Sequence, residues 1–157
     1  NIAICQSCFR FFAVNGHGKT LCNICIDPHR DQTSLLVVMR DVDLENIEKS
    51  GSYSGLYFVL GGSIPILAEN PESKIRLKPL ITLLKKRSGD LKEVILAMNL
   101  NAEGENTEDF LRRVIDPYVK KSSIKVSTLG RGLSTGTELE YSDSDTIKNA
   151  LKNRQVQ

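Results

Sequence analysis

Residues 93–105 read Glu93-Val-Ile-Leu-Ala-Met-Asn-Leu-Asn-Ala-Glu-Gly-Glu105, an apolar run that breaks into an acidic turn. Glu93 to Met98 has strand length and no internal polar residue, the pattern of a strand buried on both faces. An acidic turn directly after such a strand is a common address for a metal-dependent centre, because hard cations take oxygen ligands. Asn99 and Asn101 stand where paired acids would serve that chemistry. The stretch therefore poses a choice between a catalytic centre and the shell of one.

Working outward, Ser34-Leu-Leu-Val-Val-Met39 is a second apolar run of strand length. It is followed by Asp41 to Ser50, whose Leu44, Ile47 and closing Gly51 predict a helix with a glycine stop. Leu56 to Leu60 reads as another strand ending at Gly61-Gly62. After a loop with Pro65 and Pro71, a helix is predicted over 77–87 on the stripe Leu77, Leu80, Ile81 and Leu84; Pro79 is tolerable in its first turn and Gly89 ends it. Residues 106–121 predict the longest helix. Asn106 or Thr107 caps it, Phe110, Leu111, Val114, Ile115 and Tyr118 face the sheet, and Pro117 bends or frays its last turn. Ile124 to Thr128 is a fourth strand, and a short helix near 144–153, capped by Ser144 or Asp145, closes the chain.

Such alternation predicts an α/β fold, a parallel sheet with helices on its faces. Ligands and chemistry gather at the carboxyl ends of parallel strands. The segments Arg40 to Asp43, Gly61-Gly62, Asn99 to Glu105 and Gly130-Arg131-Gly132 are thus expected on one rim.

The four cysteines all lie in the first 25 residues, as Cys5-Gln-Ser-Cys8 and Cys22-Asn-Ile-Cys25. Each C-x2-C pair folds into a knuckle with both sulfurs on one side, and two facing knuckles form the tetrahedral set of four sulfurs that zinc prefers. With no export signal in view, thiolates for a metal are expected over disulfides. Four thiolates fill the coordination shell, so the expectation is one structural zinc per chain with no open position for substrate. His17, in the polar tip Asn15-Gly-His-Gly-Lys19, is read as a solvated loop residue. His29, just past the second knuckle, is read as lying near the site or at the surface.

At 157 residues, 40% of them hydrophobic, the chain suits one globular domain with a small appended module. Its apolar runs fall short of the ~18 residues of a membrane span, and the expected location is the cytoplasm. The start at Asn1 without Met is read as upstream sequence removed. A net charge of +2 does not define a nucleic-acid partner by itself. The clusters Lys85-Lys86-Arg87, Arg112-Arg113 and Lys120-Lys121 fit solvated helix faces.

Asp41, Asp43, Glu103 and Glu105 supply acids for a two-metal phosphodiester site, although carboxylates at helix starts also complement the helix dipole. Gly130-Arg-Gly-Leu-Ser-Thr-Gly-Thr137 lacks the lysine that a phosphate loop needs after its last glycine, which excludes a nucleoside triphosphatase of that type. Both histidines sit in or beside the cysteine module, so a Ser/His or Cys/His nucleophile has little support.

Taken together, the residues resemble a known family, the bacterial recombination mediator RecR. The resemblance runs through the cysteine module with Pro28 and Arg30, Leu36-Val-Val38, Asn46-Ile-Glu-Lys-Ser-Gly51 and Tyr53-Ser-Gly-Leu-Tyr57. It continues in Val59-Leu-Gly-Gly62, Glu93 to Ala97, Glu103-Gly-Glu-Asn-Thr107, Arg131-Gly-Leu-Ser-Thr-Gly136 and Glu138-Leu-Glu140. It implies a four-cysteine zinc finger at 1–31, a Toprim domain at 32–131 and a protomer-pairing segment at 132–157, without the family's N-terminal helix-hairpin-helix module. It also implies a non-enzymatic DNA repair mediator that binds single-stranded and duplex DNA without reading sequence, forms homo-oligomers, and works with RecO and RecF to load recombinase at gaps.

Two departures from the family pattern bear on the opening question. The gap between cysteine pairs is several residues longer, adding a loop around His17. Catalytic Toprim domains carry a glutamate after the first strand and a D-x-D-x-D/E-G array after the third, whereas here these slots hold Met39 and Asn99-Leu-Asn101-Ala-Glu103-Gly104. Three of four acids are gone, and neutral side chains cannot neutralise a phosphoryl-transfer metal pair. The expectation is a docking rim, where the resemblance implies that Glu103 and Glu105 contact the partner RecO; Lys19 and Arg131 are expected to hold DNA phosphates. The rival is a metal-dependent Toprim nuclease or strand-passing enzyme using Asp41, Asp43, Glu103 and Glu105.

Overall fold

Side chains alternate across a strand, so Leu35-Leu-Val-Val-Met39 sends residues to two layers, and both are dry. Leu35, Val37 and Met39 pack with Leu56, Phe58, Val94 and Leu96, while Leu36 and Val38 pack with Tyr57, Val59, Ile95 and Ala97. This is the physical content of an uninterrupted apolar run in a central strand. The computed structural model describes residues 1–16, 18–129, 151, 155 and 156.

The elements are β1 (Ile2–Ile4), β2 (Phe11–Ala13), α1 (Asn23–Ile26), β3 (Asp31–Val38), α2 (Asp41–Ser50), β4 (Gly55–Val59), α3 (Leu77–Lys86), β5 (Glu93–Ala97), α4 (Ala102–Lys121), β6 (Lys125–Thr128) and β7 (Gln155–Val156). The main sheet runs β4-β3-β5-β6-β7, with the first four strands parallel. The last pair is antiparallel, Ser127 opposite Val156 and Thr128 opposite Gln155, so the sheet is not wholly parallel. β1 and β2 form a separate antiparallel hairpin.

α3 and α4 cover one layer, through Leu80, Leu83 and Leu84 and through Leu111, Ile115 and Val119. Each such side chain contributes roughly 1.5–3 kcal/mol on full burial. α2 covers the other layer with Leu44 and Ile47, and the N-terminal hairpin and cysteine module complete it with Phe12, Ile24, Cys5, Cys8 and Cys22. The cysteine module is therefore part of the core, not an appendage.

α2 has the bounds read from the sequence, and Gly51 ends it in the left-handed conformation, φ 65°, which only glycine adopts freely. α3 ends before Gly89, with Arg87 at its C-cap. α4 begins four residues earlier than expected, at Ala102, because the Asn101 side chain accepts the Gly104 N–H at 2.7 Å and caps it. Neither Asn106 nor Thr107 is the cap. Thr107 is fully buried, donates to the Glu103 carbonyl at 2.8 Å and accepts the Ile64 N–H at 2.9 Å. The helix continues through Pro117 to Lys121. Phe110 and Val114 are only partly buried, and Val119, not Tyr118, completes the buried stripe. Apart from Leu151, the helix expected near 144–153 lies outside the described residues, as do Arg131 and the glycine-rich segment around it.

Candidate metal centre and rim

The hairpin fixes the first knuckle. Cys5 follows β1 and donates its N–H to the Arg10 carbonyl at 2.8 Å, while the Phe9 N–H returns to the Cys5 carbonyl at 2.9 Å. Phe9 takes φ 64°, an uncommon conformation for a non-glycine residue, and it closes the turn. The second knuckle is the start of α1, where Cys22 is extended and its carbonyl accepts the Ile26 N–H. The Gln6 N–H donates to the Thr20 carbonyl at 2.9 Å, and the Cys22 N–H donates to Cys5 Sγ at 3.4 Å, joining the knuckles.

All four Sγ atoms lie within 4.8 Å of one another, and Cys8 Sγ and Cys22 Sγ are 3.7 Å apart. A tetrahedral ion with metal–sulfur bonds of about 2.3 Å places its sulfurs about 3.8 Å apart, so the four fit such an ion. The cysteines are unpaired by disulfide. Without a cation the sulfurs contend for protons. The hydrogen bond from Cys22 drives Cys5 down and Cys8 up; that with Cys25 brings Cys22 to about 6; and that with Cys22 raises Cys25. A cation taken up in their midst relieves this contest by stabilising the thiolates together. His29 is a surface residue, its Nδ1 3.2 Å from Asp27 Oδ1, and does not join the set. His17 lies outside the described residues.

The module is fastened to the sheet by backbone and cation. The Val59 N–H donates to the Cys8 carbonyl at 2.8 Å. Arg76 Nη1 reaches the Phe9 and Val59 carbonyls at 3.1 and 3.0 Å, with its guanidinium 5.7 Å from the Phe9 ring centroid. A single arginine before a helix gave no sequence signal of this bridge. Asp41 Oδ2 accepts the Phe11 N–H at 2.9 Å, and Arg10 pairs with Glu45 at 3.9 Å.

At the carboxyl ends of the strands, the slot after β3 holds buried Met39, whose sulfur accepts the Asn99 N–H at 3.5 Å. Gly104 packs onto the Asn99 carbonyl so closely that a Cβ there would stand 2.0 Å from its oxygen. Ser63 donates to Glu103 Oε1, and Asn106 Nδ2 donates to the Ile64 carbonyl at 3.1 Å, so the loop after β4 is tied to the start of α4. Glu103 and Glu105 are exposed in the first turn of α4.

The four acids considered for a metal pair serve different ends. Asp41 holds the hairpin, buried Asp43 accepts the Arg40 N–H at 3.1 Å at the start of α2, and Glu103 accepts from Ser63. Among the described residues, the four cysteines are the one cluster of metal-ligating side chains. Lys19 is exposed and lines a cavity of the cysteine module with Arg10 and Asn23, and Arg131 lies outside the described residues.

A parallel β4-β3-β5-β6 core with helices on both faces, an Asn-Leu-Asn turn after β5 and a four-cysteine cluster packed into one layer of the core define a Toprim-class domain with a candidate metal centre. The Toprim domain family matches residues 33–130, and the RecR C-terminal family matches 132–155. "Recombination protein RecR" of Lactobacillus acidophilus is 44% identical over 137 residues, covering 87% of this chain and 66% of the relative. The protein of the same name from Lactococcus lactis is 42% identical over 133 residues, covering 85% and 64%. The chain thus spans just under two thirds of the length of these relatives. A DNA primase domain from Pseudomonas aeruginosa shares the fold at a TM-score of 0.53 and 11% identity, over 80% of this chain and 35% of that one. The chain belongs to the RecR family.

Proposed function

We propose that the chain is a non-enzymatic DNA repair and recombination mediator that binds DNA and, with RecO or RecF, helps load recombinase at single-stranded gaps. The observation that carries this reading is the filling of the Toprim rim. Met39, Asn99 and Asn101 replace acids, and Asp41 and Asp43 are spent on backbone N–H groups. A two-metal mechanism needs carboxylates free to converge on both ions. In this reading exposed Glu103 and Glu105 face a protein partner, Lys19 and Arg131 meet phosphates, and 132–157 joins protomers in a cytoplasmic homo-oligomer. No described helix is long and apolar enough to cross a membrane.

The ion in the cysteine set is read as zinc, one per chain, because four thiolates with no open position suit structural zinc. Cys5, Cys8, Cys22 and Cys25 would hold it, and it would supply cross-linking, not chemistry. Incubation with plasmid or oligonucleotide and Mg²⁺ tests the mediator reading, with no turnover expected. Sustained cleavage abolished by Glu103→Gln would establish the enzyme instead.

A further inference from the structure

A cavity of about 620 Å³ lies between the cysteine module and α3, and its lining contains no residue of the rim segments. Its floor is apolar, with Phe9, Leu21 and Leu83, and its wall carries Thr20, Lys78 and Lys86. A second cavity of about 380 Å³ adjoins it, sharing Leu21 and lined by Arg10, Asn15 and Lys19 among others. Neither lining contains a carboxylate, in a chain with 19 acids against 21 Lys and Arg, so the sign of charge here is not the average of the surface.

The cations on α3 divide cleanly. Lys85 lies over the Tyr118 ring, 5.5 Å from its centroid, and Arg87 donates to Gln32 Oε1 at 2.9 Å. Lys78 and Lys86 are exposed and make no ion pair among the described residues. Eight residues apart on α3, they span about 12 Å along the trough. In the adjoining cavity Arg10 pairs with Glu45, which is not part of the lining, while exposed Lys19 makes no ion pair among the described residues.

Unpaired cations above an apolar floor match a polymer with phosphates on one side and flat apolar faces on the other. A duplex keeps its bases stacked inside and offers only phosphates and groove edges, so the floor would go unused; single-stranded nucleic acid fills both parts. We infer that the two cavities flanking Leu21 form a single-strand track, with Lys78, Lys86 and Lys19 on phosphates and bases seated against Phe9, Leu21 and Leu83. This rests on the DNA-binding reading above and gives it a location distinct from the Toprim rim.

The test is fluorescence anisotropy of a labelled oligothymidine of roughly 20 nucleotides, longer than typical single-strand sites, against the full chain over a salt series. Lys78→Gln/Lys86→Gln is compared with Lys120→Gln/Lys121→Gln, an equal charge change at the far end of α4, with melting curves confirming that both fold. Loss of two phosphate contacts should weaken binding about tenfold and flatten the log–log salt slope by about 1.4. The control should bind as the parent does. A strand bearing iodouracil should photo-crosslink to Phe9. Unchanged affinity and slope in the first variant, an equal loss in the control, or tighter binding of a matched duplex would overturn the track while leaving DNA binding intact. A parent that binds neither strand nor duplex at low salt would overturn the DNA-binding reading as well.

Discussion

At the scale of single residues, the turn after β5 places amides where the Toprim pattern has acids and uses one of them to start a helix. Asn101 still does what an aspartate in its place would do for the helix, accepting the Gly104 N–H. Asn101→Ala should cost about 1 kcal/mol by urea denaturation, whereas Asn101→Asp should keep the cap and add about 0.3–1 kcal/mol from the helix dipole. If Asp proved as damaging as Ala, the fold itself would be excluding the acid. Gly104 tolerates no such exchange, since its neighbour is a carbonyl that cannot swing aside. Gly104→Ala should destabilise by about 3 kcal/mol and shift the 99–101 turn, because overpacking against backbone is relieved only by moving it. A urea midpoint equal to that of the parent would refute this. The same residues show why the start of α4 was misplaced in the sequence. Asn99 and Asn101 read as the remains of metal ligands, and a side chain cannot be seen from sequence to have become a cap.

At the scale of elements, the apolar runs of β3, β4 and β5 and the helix α2 were legible because periodicity and a glycine stop report local physics. The hairpin β1–β2, with three-residue strands, carries too little period to be read. Its burial against the sheet depends on contacts such as Arg76 to Phe9, far apart in sequence. This has a consequence for metal removal. Seen from sequence alone, chelation should cost folded structure around residues 1–30. Because Cys5, Cys8 and Cys22 pack in one layer with Leu36, Val38 and Ile95, removal of an ion held by the cysteines should uncover a face of the sheet. Structural zinc is worth on the order of 10 kcal/mol in small fingers, and at this chain length ~1 kcal/mol moves the midpoint by about 2–4 °C. A strong chelator should therefore lower the melting temperature of the whole domain by more than about 10 °C, and amide exchange should quicken in β3 and β4 as well as in the hairpin. Faster exchange confined to residues 1–30 would show the module to be energetically separate.

At the scale of the whole molecule, the two ends of the sheet have different duties. The carboxyl-end rim carries the exposed Glu103 and Glu105, while the opposite end is closed by a polar knot. Arg30 pairs with Glu48 at 2.8 Å and donates to the Gly55 carbonyl at 2.7 Å, and Tyr57 donates to Glu48 Oε1 at 2.6 Å. Tyr53 donates to the Leu56 carbonyl at 2.8 Å and meets the Tyr57 ring edge-on at 5.1 Å. The sequence showed Arg30, Glu48, Tyr53 and Tyr57 as family-like residues, but not that they join the start of β3, α2 and β4 in one network. Burial raises both tyrosine hydroxyls well above their ordinary value, and the neighbouring Glu48 carboxylate raises Tyr57 further. The folded state thus holds these protons more tightly than the unfolded chain, whose tyrosines titrate near pH 10. Below that pH both states are protonated and the contribution is complete; above it the unfolded chain sheds protons first, so stability falls as pH rises. Urea midpoints should be level through neutrality and decline above about pH 10. Tyr57→Phe, which removes the hydroxyl and its bond to Glu48, should lower the neutral plateau by about 1–2 kcal/mol and make the alkaline decline shallower. A Phe variant whose midpoint falls with pH as steeply as the parent's would place the alkaline sensitivity elsewhere and dissolve the claim that this knot closes the sheet.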